Sequence, residues 1–286
     1  PEDIQLIQND TKTCPDTGMA GASRSLYMDG NATIIAANKL LAAMRKEDGT
    51  LRTYDEMKAE GIETKYLGRY ETNTTPGLCR LDPNTGIGDP TPAFTYCLNL
   101  AEVEVDTKTG KTTVLKFTCV DFVGRIGNID AVNGQAYSGI MHGIGFALKE
   151  DYADVKKHAN MFGAGTSYIK DVPDDINLIH IDGAISDGPF GSSGASEAFQ
   201  ASGHCAVLNG IYNACGVRIH EIPALPEKVK AGLDAIAKGE KPYEPKKYFL
   251  GSDMYEELEN IKENPVQVGT QSFYVSLDDP TAERPF

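Results

Sequence analysis

Ala101-Glu102-Val103-Glu104-Val105-Asp106-Thr107-Lys108-Thr109-Gly110-Lys111 is the stretch that decides the fold class. Its first five residues alternate apolar and polar, the period of a half-buried strand. Asp106 to Lys111 is polar, contains Gly110 and reads as a turn. On the far side, Thr113, Leu115, Phe117 and Cys119 are expected on one face of a returning strand. The spacing therefore predicts a β-hairpin between Leu100 and Val123. Immediately after it the period changes. Ala136, Ile140, Ile144 and Leu148 recur at helical spacing within Val132 to Glu150. A hairpin feeding a helix points to an α+β fold with helices packed on mixed sheets.

That helix carries Gly134, Gly139, Gly143 and Gly145. Each glycine costs a helix interior up to ~1 kcal/mol against alanine. Close approach of another backbone or of a ligand is the usual reason to keep one. Outward from this core, Ile4 to Ile7 and Lys65 to Thr72 have strand character. Asn31 to Arg45 reads as a helix with Ile34, Ile35, Leu40, Leu41 and Met44 near one face. Tyr54 to Ala59 is a short helix, and Thr72 to Thr91 a long loop rich in Asn, Thr, Pro and Gly. Leu178 to Ile185 reads as a strand and Gly188 to Gly194 as a glycine-rich loop. A helix from Ser196 to Cys215 follows, stopped by Gly216. Beyond Pro223 and Pro226, Glu227 to Ala237 forms a short amphipathic helix.

The 286 residues are 41% hydrophobic, enough for a sizeable core. Lys plus Arg number 27 and Asp plus Glu 41, so the net charge is 27 − 41 = −14. That balance argues against nucleic acid and anionic membranes as partners. No apolar run reaches the length of a membrane span. Cys14, Cys79, Cys97, Cys119, Cys205 and Cys215 form no C-x-x-C pair and no zinc spacing. They read as buried, reduced thiols of a cytoplasmic protein.

Three segments carry candidate chemistry. Gly18 to Ser25, Asn133-Gly134-Gln135 and Gly188 to Gly194 each precede or lie within a helix. Small residues and free N–H groups at helix starts suit an anionic group. An acidic protein can hold such a group with amides rather than lysines. Taken singly, each segment reads more readily as an ordinary turn or cap. Glu197 follows the third loop among small and apolar neighbours, a setting that suits a general base. Residue chemistry alone favours a plainer role, a carboxylate complementing a helix dipole. His142 and His204 sit within helix patterns and read as packed or solvated rather than as ligands.

Four blocks in order resemble the molybdopterin-binding subunit of the molybdenum hydroxylases, the xanthine dehydrogenase and aldehyde oxidoreductase family. They are Gly18-x-Ala20-Gly21-Ala22-Ser23-Arg24-Ser25 with Gly30-Asn31-Ala32; the strand and turn at 101–110; Val123-Gly124-Arg125-x-Gly127-Asn128 leading to Gly134-Gln135 and on to Glu150; and Gly188-Pro189-Phe190-Gly191-x-x-Gly194-x-x-Glu197. The resemblance covers residues 1–235, with 236–286 as a C-terminal extension. The loop at 188–191 and Ala224 to Val229 look closer to aldehyde oxidoreductases than to xanthine enzymes. Ser196 stands where the family usually has a glycine.

The resemblance implies the family's α+β molybdopterin-binding domain and its chemistry: hydroxylation of an aldehyde to a carboxylic acid with water-derived oxygen. A nitrogen heterocycle (nicotinate or purine type) is the alternative substrate class. A non-catalytic cofactor-binding or assembly module is the alternative of a different kind. Molybdenum is held by the pterin dithiolene and by no protein side chain, with the pterin's cytosine dinucleotide form among the options. The residue matching Glu197 takes the proton of the attacking oxygen. Ala20, Gly21, Ala22, Ser23, Ser25, Gln135, Gly194, Ala195 and Ser196 match positions that hold the cofactor. Electrons leave through iron–sulfur clusters, and FAD where present, on partner chains or segments outside this sequence. The family's upstream half and its iron–sulfur region are absent. The chain is thus expected to be a C-terminal portion or split subunit, inactive alone, partnered by the N-terminal half of the molybdenum subunit and by an iron–sulfur subunit.

Overall fold

The computed structural model describes residues 4–7, 10–71, 82, 84–88, 91, 93–154, 156–185 and 187–240. The hairpin is present. Strand β1 (Tyr96–Val105) pairs antiparallel with β2 (Thr112–Phe122), and β3 (Asp175–His180) joins β2 in parallel, giving a mixed sheet in the order β1-β2-β3. The turn closes as its residues dictate. Asp106 accepts the Lys108 amide at 2.8 Å, and Gly110, at φ +78°, donates to the Asp106 carbonyl at 2.7 Å.

One detail of the returning strand differs from the expectation. Thr113 and Leu115 do not share a face with Phe117 and Cys119. The pairing shifts between Glu102 and Val103, so that Val103 meets Val114 and Glu102 meets Lys116. Leu115 is the extra residue of this bulge, which reverses the phase of the strand. Val114, Phe117 and Cys119 therefore face the core, and Leu115 is half exposed.

Helices α1 (Ser25–Met44), α2 (Tyr54–Ala59), α3 (Ile129–Leu148), α4 (Met161–Ala164), α5 (Ala198–Ala201), α6 (Gly203–Cys215) and α7 (Pro226–Ala237), with 3-10 turns at Ile169–Asp171 and Pro189–Gly191, complete the described elements. Asn128 caps α3 by accepting the Ala131 amide at 3.0 Å. The helix then buries Ala136, Ile140, Ile144 and Ala147 against Phe117, Cys119, Phe199 and Val207. A second cluster joins Ile211, Val217, Ala224 and Val229.

Several expected elements end elsewhere. Helix α1 begins six residues early, at Ser25 rather than Asn31. Its deepest residue is Tyr27, whereas Leu40 and Leu41 stay exposed. Strand β3 stops at His180, not Ile185. Residues 4–7 and 65–71 form no strand: Ile4 and Leu6 are more than three-quarters exposed, and no partner strand among the described residues reaches them. The helix expected over 196–215 is two, parted at Ser202. The thiols are not uniformly buried. Cys119 is buried, Cys14, Cys97 and Cys215 are partly exposed, and Cys205 is exposed. Most of the loop expected over 72–91, with Cys79, falls outside the described residues, as does the expected extension beyond residue 240.

Candidate functional site

Ala22 and Ser23 both take positive φ, 51° and 55°. Two consecutive non-glycine residues in the left-handed region are costly, roughly 1–2 kcal/mol each. The turn they make swings the Ser23 side chain towards the loop that ends at Glu197. The Ser23 hydroxyl accepts the Glu197 amide at 2.9 Å and lies 3.2 Å from Glu197 Oε2 and 2.8 Å from Ser196 Oγ. A single hydroxyl can donate only once. Donation to the carboxylate leaves Ser196 to donate to Ser23, and this closes a network among the three.

The glycines of this region have steric reasons. A β-carbon on Gly194 would lie 1.7 Å from the Ser23 carbonyl oxygen. One on Gly30 would lie 2.6 Å from Pro189 Cγ, and one on Gly124, at φ +78°, 2.5 Å from the Gly191 oxygen. Backbone and side-chain bonds stitch the same segments together. Arg125 N–H donates to Gly191 O at 2.8 Å, Ser192 Oγ to Arg125 O at 2.6 Å, and Asn31 Nδ2 to the Asp187 carbonyl at 3.1 Å. Segments near positions 22, 31, 124 and 191, remote in sequence, thus form one junction.

Helix α3 passes close to α5 and α6. At Gly139 a β-carbon would meet Phe199 Cβ at 2.6 Å, and at Gly143 it would meet Gly203 Cα at 2.9 Å. Two of the four helix glycines are therefore explained by backbone approach. Gly145 makes room for the Glu150 carboxylate. Gly134 has nothing within 4 Å. Gln135, beside it, is exposed and lies one turn before the Gly139 contact with α5.

Of the residues singled out in the sequence, the structure brings Ser23, Gly194, Ser196 and Glu197 into direct contact. Gly21, Ala22 and Ala195 adjoin them in the chain. Ser25 opens α1, and Ala20 is an exposed loop residue; neither touches the network. Glu197 is exposed and stands at the N-cap of α5, a helix of one turn. Both readings of Glu197 thus keep a structural footing: it heads a helix, and it joins the serine network.

A polar line was not read from the sequence. Asp121, 2% exposed, holds His180 Nδ1 at 2.7 Å, and His180 Nε2 meets Asn133 Oδ1 at 2.8 Å. Burial pushes the Asp121 carboxyl above its ordinary range, and the His180 ring opposes the shift. The signal was present in β2, where Asp121 falls in the inward phase of Phe117 and Cys119. A carboxylate at a core position demands a partner. His180 supplies it from β3, and Asn133 extends the line to the first turns of α3, two residues before Gln135.

These features fit a large anionic cofactor. Gly134 is a helix glycine that no protein neighbour among the described residues requires, and Ala22 and Gln135 are exposed.

Comparison with known proteins agrees. Residues 1–173 match the molybdopterin cofactor-binding domain. The chain belongs to this family, the molybdopterin-binding domain of the molybdenum hydroxylases. It is 43% identical over 235 residues to an aldehyde oxidoreductase of Megalodesulfovibrio gigas, covering 82% of this chain and 26% of the relative. The crystal structure of the aldehyde oxidoreductase from Desulfovibrio desulfuricans ATCC 27774 superposes with a TM-score of 0.75 at 46% identity, over 80% of this chain and 25% of that one. A 6-hydroxypseudooxynicotine dehydrogenase complex subunit gamma from Paenarthrobacter nicotinovorans is 24% identical over 270 residues, 84% of this chain and 33% of the relative. The chain thus spans about a quarter to a third of the length of these relatives. Among the described residues no helix is long and apolar enough to cross a membrane, and no cluster of side chains could hold a metal ion.

Proposed function

We propose that this chain supplies part of the active site of a molybdenum-dependent hydroxylase that converts an aldehyde to a carboxylic acid with oxygen from water. The network of Ser23, Ser196 and Glu197 carries the reading. It joins residues up to 174 positions apart and ties one exposed carboxylate to the Ala22-Ser23 turn. The aldehyde preference rests on the 43–46% identity to aldehyde oxidoreductases.

Residues 20–23 and 25, Gln135 and residues 194–196 would hold the pterin cofactor through backbone amides, hydroxyls and one carboxamide. When bound, the molybdenum cofactor supplies the two-electron oxidation. The chain's own part is acid–base and positional. Glu197 takes the proton from the attacking oxygen at a carboxylate oxygen. The Ser23 hydroxyl, by accepting the Glu197 amide and facing Oε2, fixes both the backbone and the head of that carboxylate. Iron–sulfur clusters on partner segments would accept the electrons, and those segments would contribute the upstream half of the site. We infer that the assembly works in the cytoplasm and that the chain alone is inactive.

The test is Glu197→Gln in the native assembly. Glutamine keeps the shape and the amide contact and removes the base. Turnover falls at least 10²-fold, the contribution typical of a general base, while molybdenum content stays near wild type. Substantial turnover by the variant would overturn the assignment. An aldehyde and N-heterocycle panel on the same preparation decides the substrate class.

A further inference from the structure

Cys97 and Cys119 lie on neighbouring strands with their sulfurs 3.4 Å apart. In the register, Cys97 stands opposite Asp121 and Cys119 opposite Asn99, so the two thiols form a diagonal pair across β1 and β2. They differ in access. Cys119 is fully buried, whereas Cys97 is partly exposed. They differ also in acidity. The hydrogen bond between the two sulfurs holds the Cys97 thiol down, and the same bond and burial push the Cys119 thiol up. A partly exposed, more acidic thiol touching a buried one is the arrangement of an attacking and a resolving cysteine.

We propose that Cys97 and Cys119 are a peroxide-oxidisable pair that closes a reversible disulfide between β1 and β2. The chemistry balances. The Cys97 sulfur attacks hydrogen peroxide, the O–O bond breaks, and Cys97 becomes a sulfenic acid as one water leaves. The Cys119 sulfur then attacks the Cys97 sulfur, the S–O bond breaks, and a second water leaves. Two thiols lose two electrons and two protons, and one peroxide is reduced to two waters. A thiol reductant reverses the step by exchange.

Closing the bond draws the sulfurs together by roughly 1.4 Å, to the ordinary S–S distance. The strands that move also carry Asn99, which donates to Ser202 Oγ at 3.0 Å where α5 gives way to α6. Ser202 follows Glu197 by five residues. Oxidation therefore acts on the strand positions that support the element headed by Glu197. The thiol chemistry itself does not depend on any catalytic role for that residue.

The experiment uses the 286-residue chain, treated with hydrogen peroxide, then blocked with an alkylating agent and mapped by peptide mass spectrometry. The expected result is a loss of about 2 Da carried by a cross-linked pair of peptides containing Cys97 and Cys119. Dithiothreitol reverses it. Cys119→Ser removes the cross-link and lets a dimedone probe trap a sulfenic acid at Cys97. Recovery of Cys97 as an unmodified thiol or as a sulfinic acid, with Cys119 alkylated under reducing and non-reducing conditions alike, would overturn the proposal. So would linkage of Cys97 to any other cysteine as the main product.

Discussion

Gly194 shows how tightly the candidate site is built at the scale of single residues. A methyl group there would sit 1.7 Å from a backbone oxygen, so Ser23 must move if Gly194 changes. Gly194→Ala is expected to lower the unfolding midpoint more than Ser23→Ala. The serine change costs about 1 kcal/mol for a lost hydrogen bond, whereas the glycine change displaces the whole turn. Denaturant titration of both variants compares them, and an equal or reversed order would contradict the packing described. Asp121 gives a pH signature. Its folded carboxyl is held above the ordinary 3.8 by burial. The folded state then keeps the proton longer than the unfolded state does. The stability this group lends is complete below the unfolded value and is lost as pH rises through the raised folded one. The Tm of wild type should fall relative to Asp121→Asn as pH climbs from about 4. Parallel Tm curves would remove the buried carboxyl from the account.

At the scale of elements, the glycines of α3 divide into two kinds. Gly139→Ala and Gly143→Ala put a methyl within 2.6–2.9 Å of α5 and α6 atoms. Each should destabilise the chain by about 1–3 kcal/mol, more than the helix gains. Gly134→Ala meets nothing and should raise the unfolding midpoint by up to about 1 kcal/mol of helix propensity. In the molybdenum-loaded assembly the same change should reduce cofactor content, since the open space beside Gln135 is the space assigned to the cofactor. Destabilisation by Gly134→Ala, or full cofactor retention, would contradict that assignment. The hairpin, α3 and α7 were legible in sequence because alternation, helical spacing and proline mark them locally. The bulge at Leu115 and the break at Ser202 were not. Leu115 is displaced by a register shift that only the partner strand defines. Ser202 parts the helix where Gly203 must lie against Gly143 and where Asn99 reaches its hydroxyl. Both are tertiary effects. The early start of α1 has a similar cause, since Tyr27 is buried outside the apolar stripe that the sequence shows. Glycines and serines at 20–25 and 188–197 marked the site loops. The contact between Ser23 and Glu197 needed the fold.

At the scale of the molecule, the described residues cover one face of the sheet only. α3 and α6 pack against Phe117 and Cys119. On the other face Tyr96, Leu98 and Leu100 of β1 are more than half exposed, and Ile179 of β3 is 44% exposed. Tyr96 pairs with Phe122, Leu98 with Val120, and Val120 with Ile179, so the apolar surface runs across all three strands. A patch of this kind marks an interface. The isolated chain should bind a hydrophobic dye and self-associate, read by dye fluorescence and light scattering. A monomer that leaves the dye dark would mean the face needs no cover. The proposed cover is the remainder of a molybdenum hydroxylase, in keeping with a chain that spans 26% of its aldehyde oxidoreductase relative. The most direct measurement is metal analysis with intact mass on the native complex recovered through this chain. The account predicts molybdenum together with an iron–sulfur partner. A lone chain without molybdenum, from cells supplied with the metal, would contradict it.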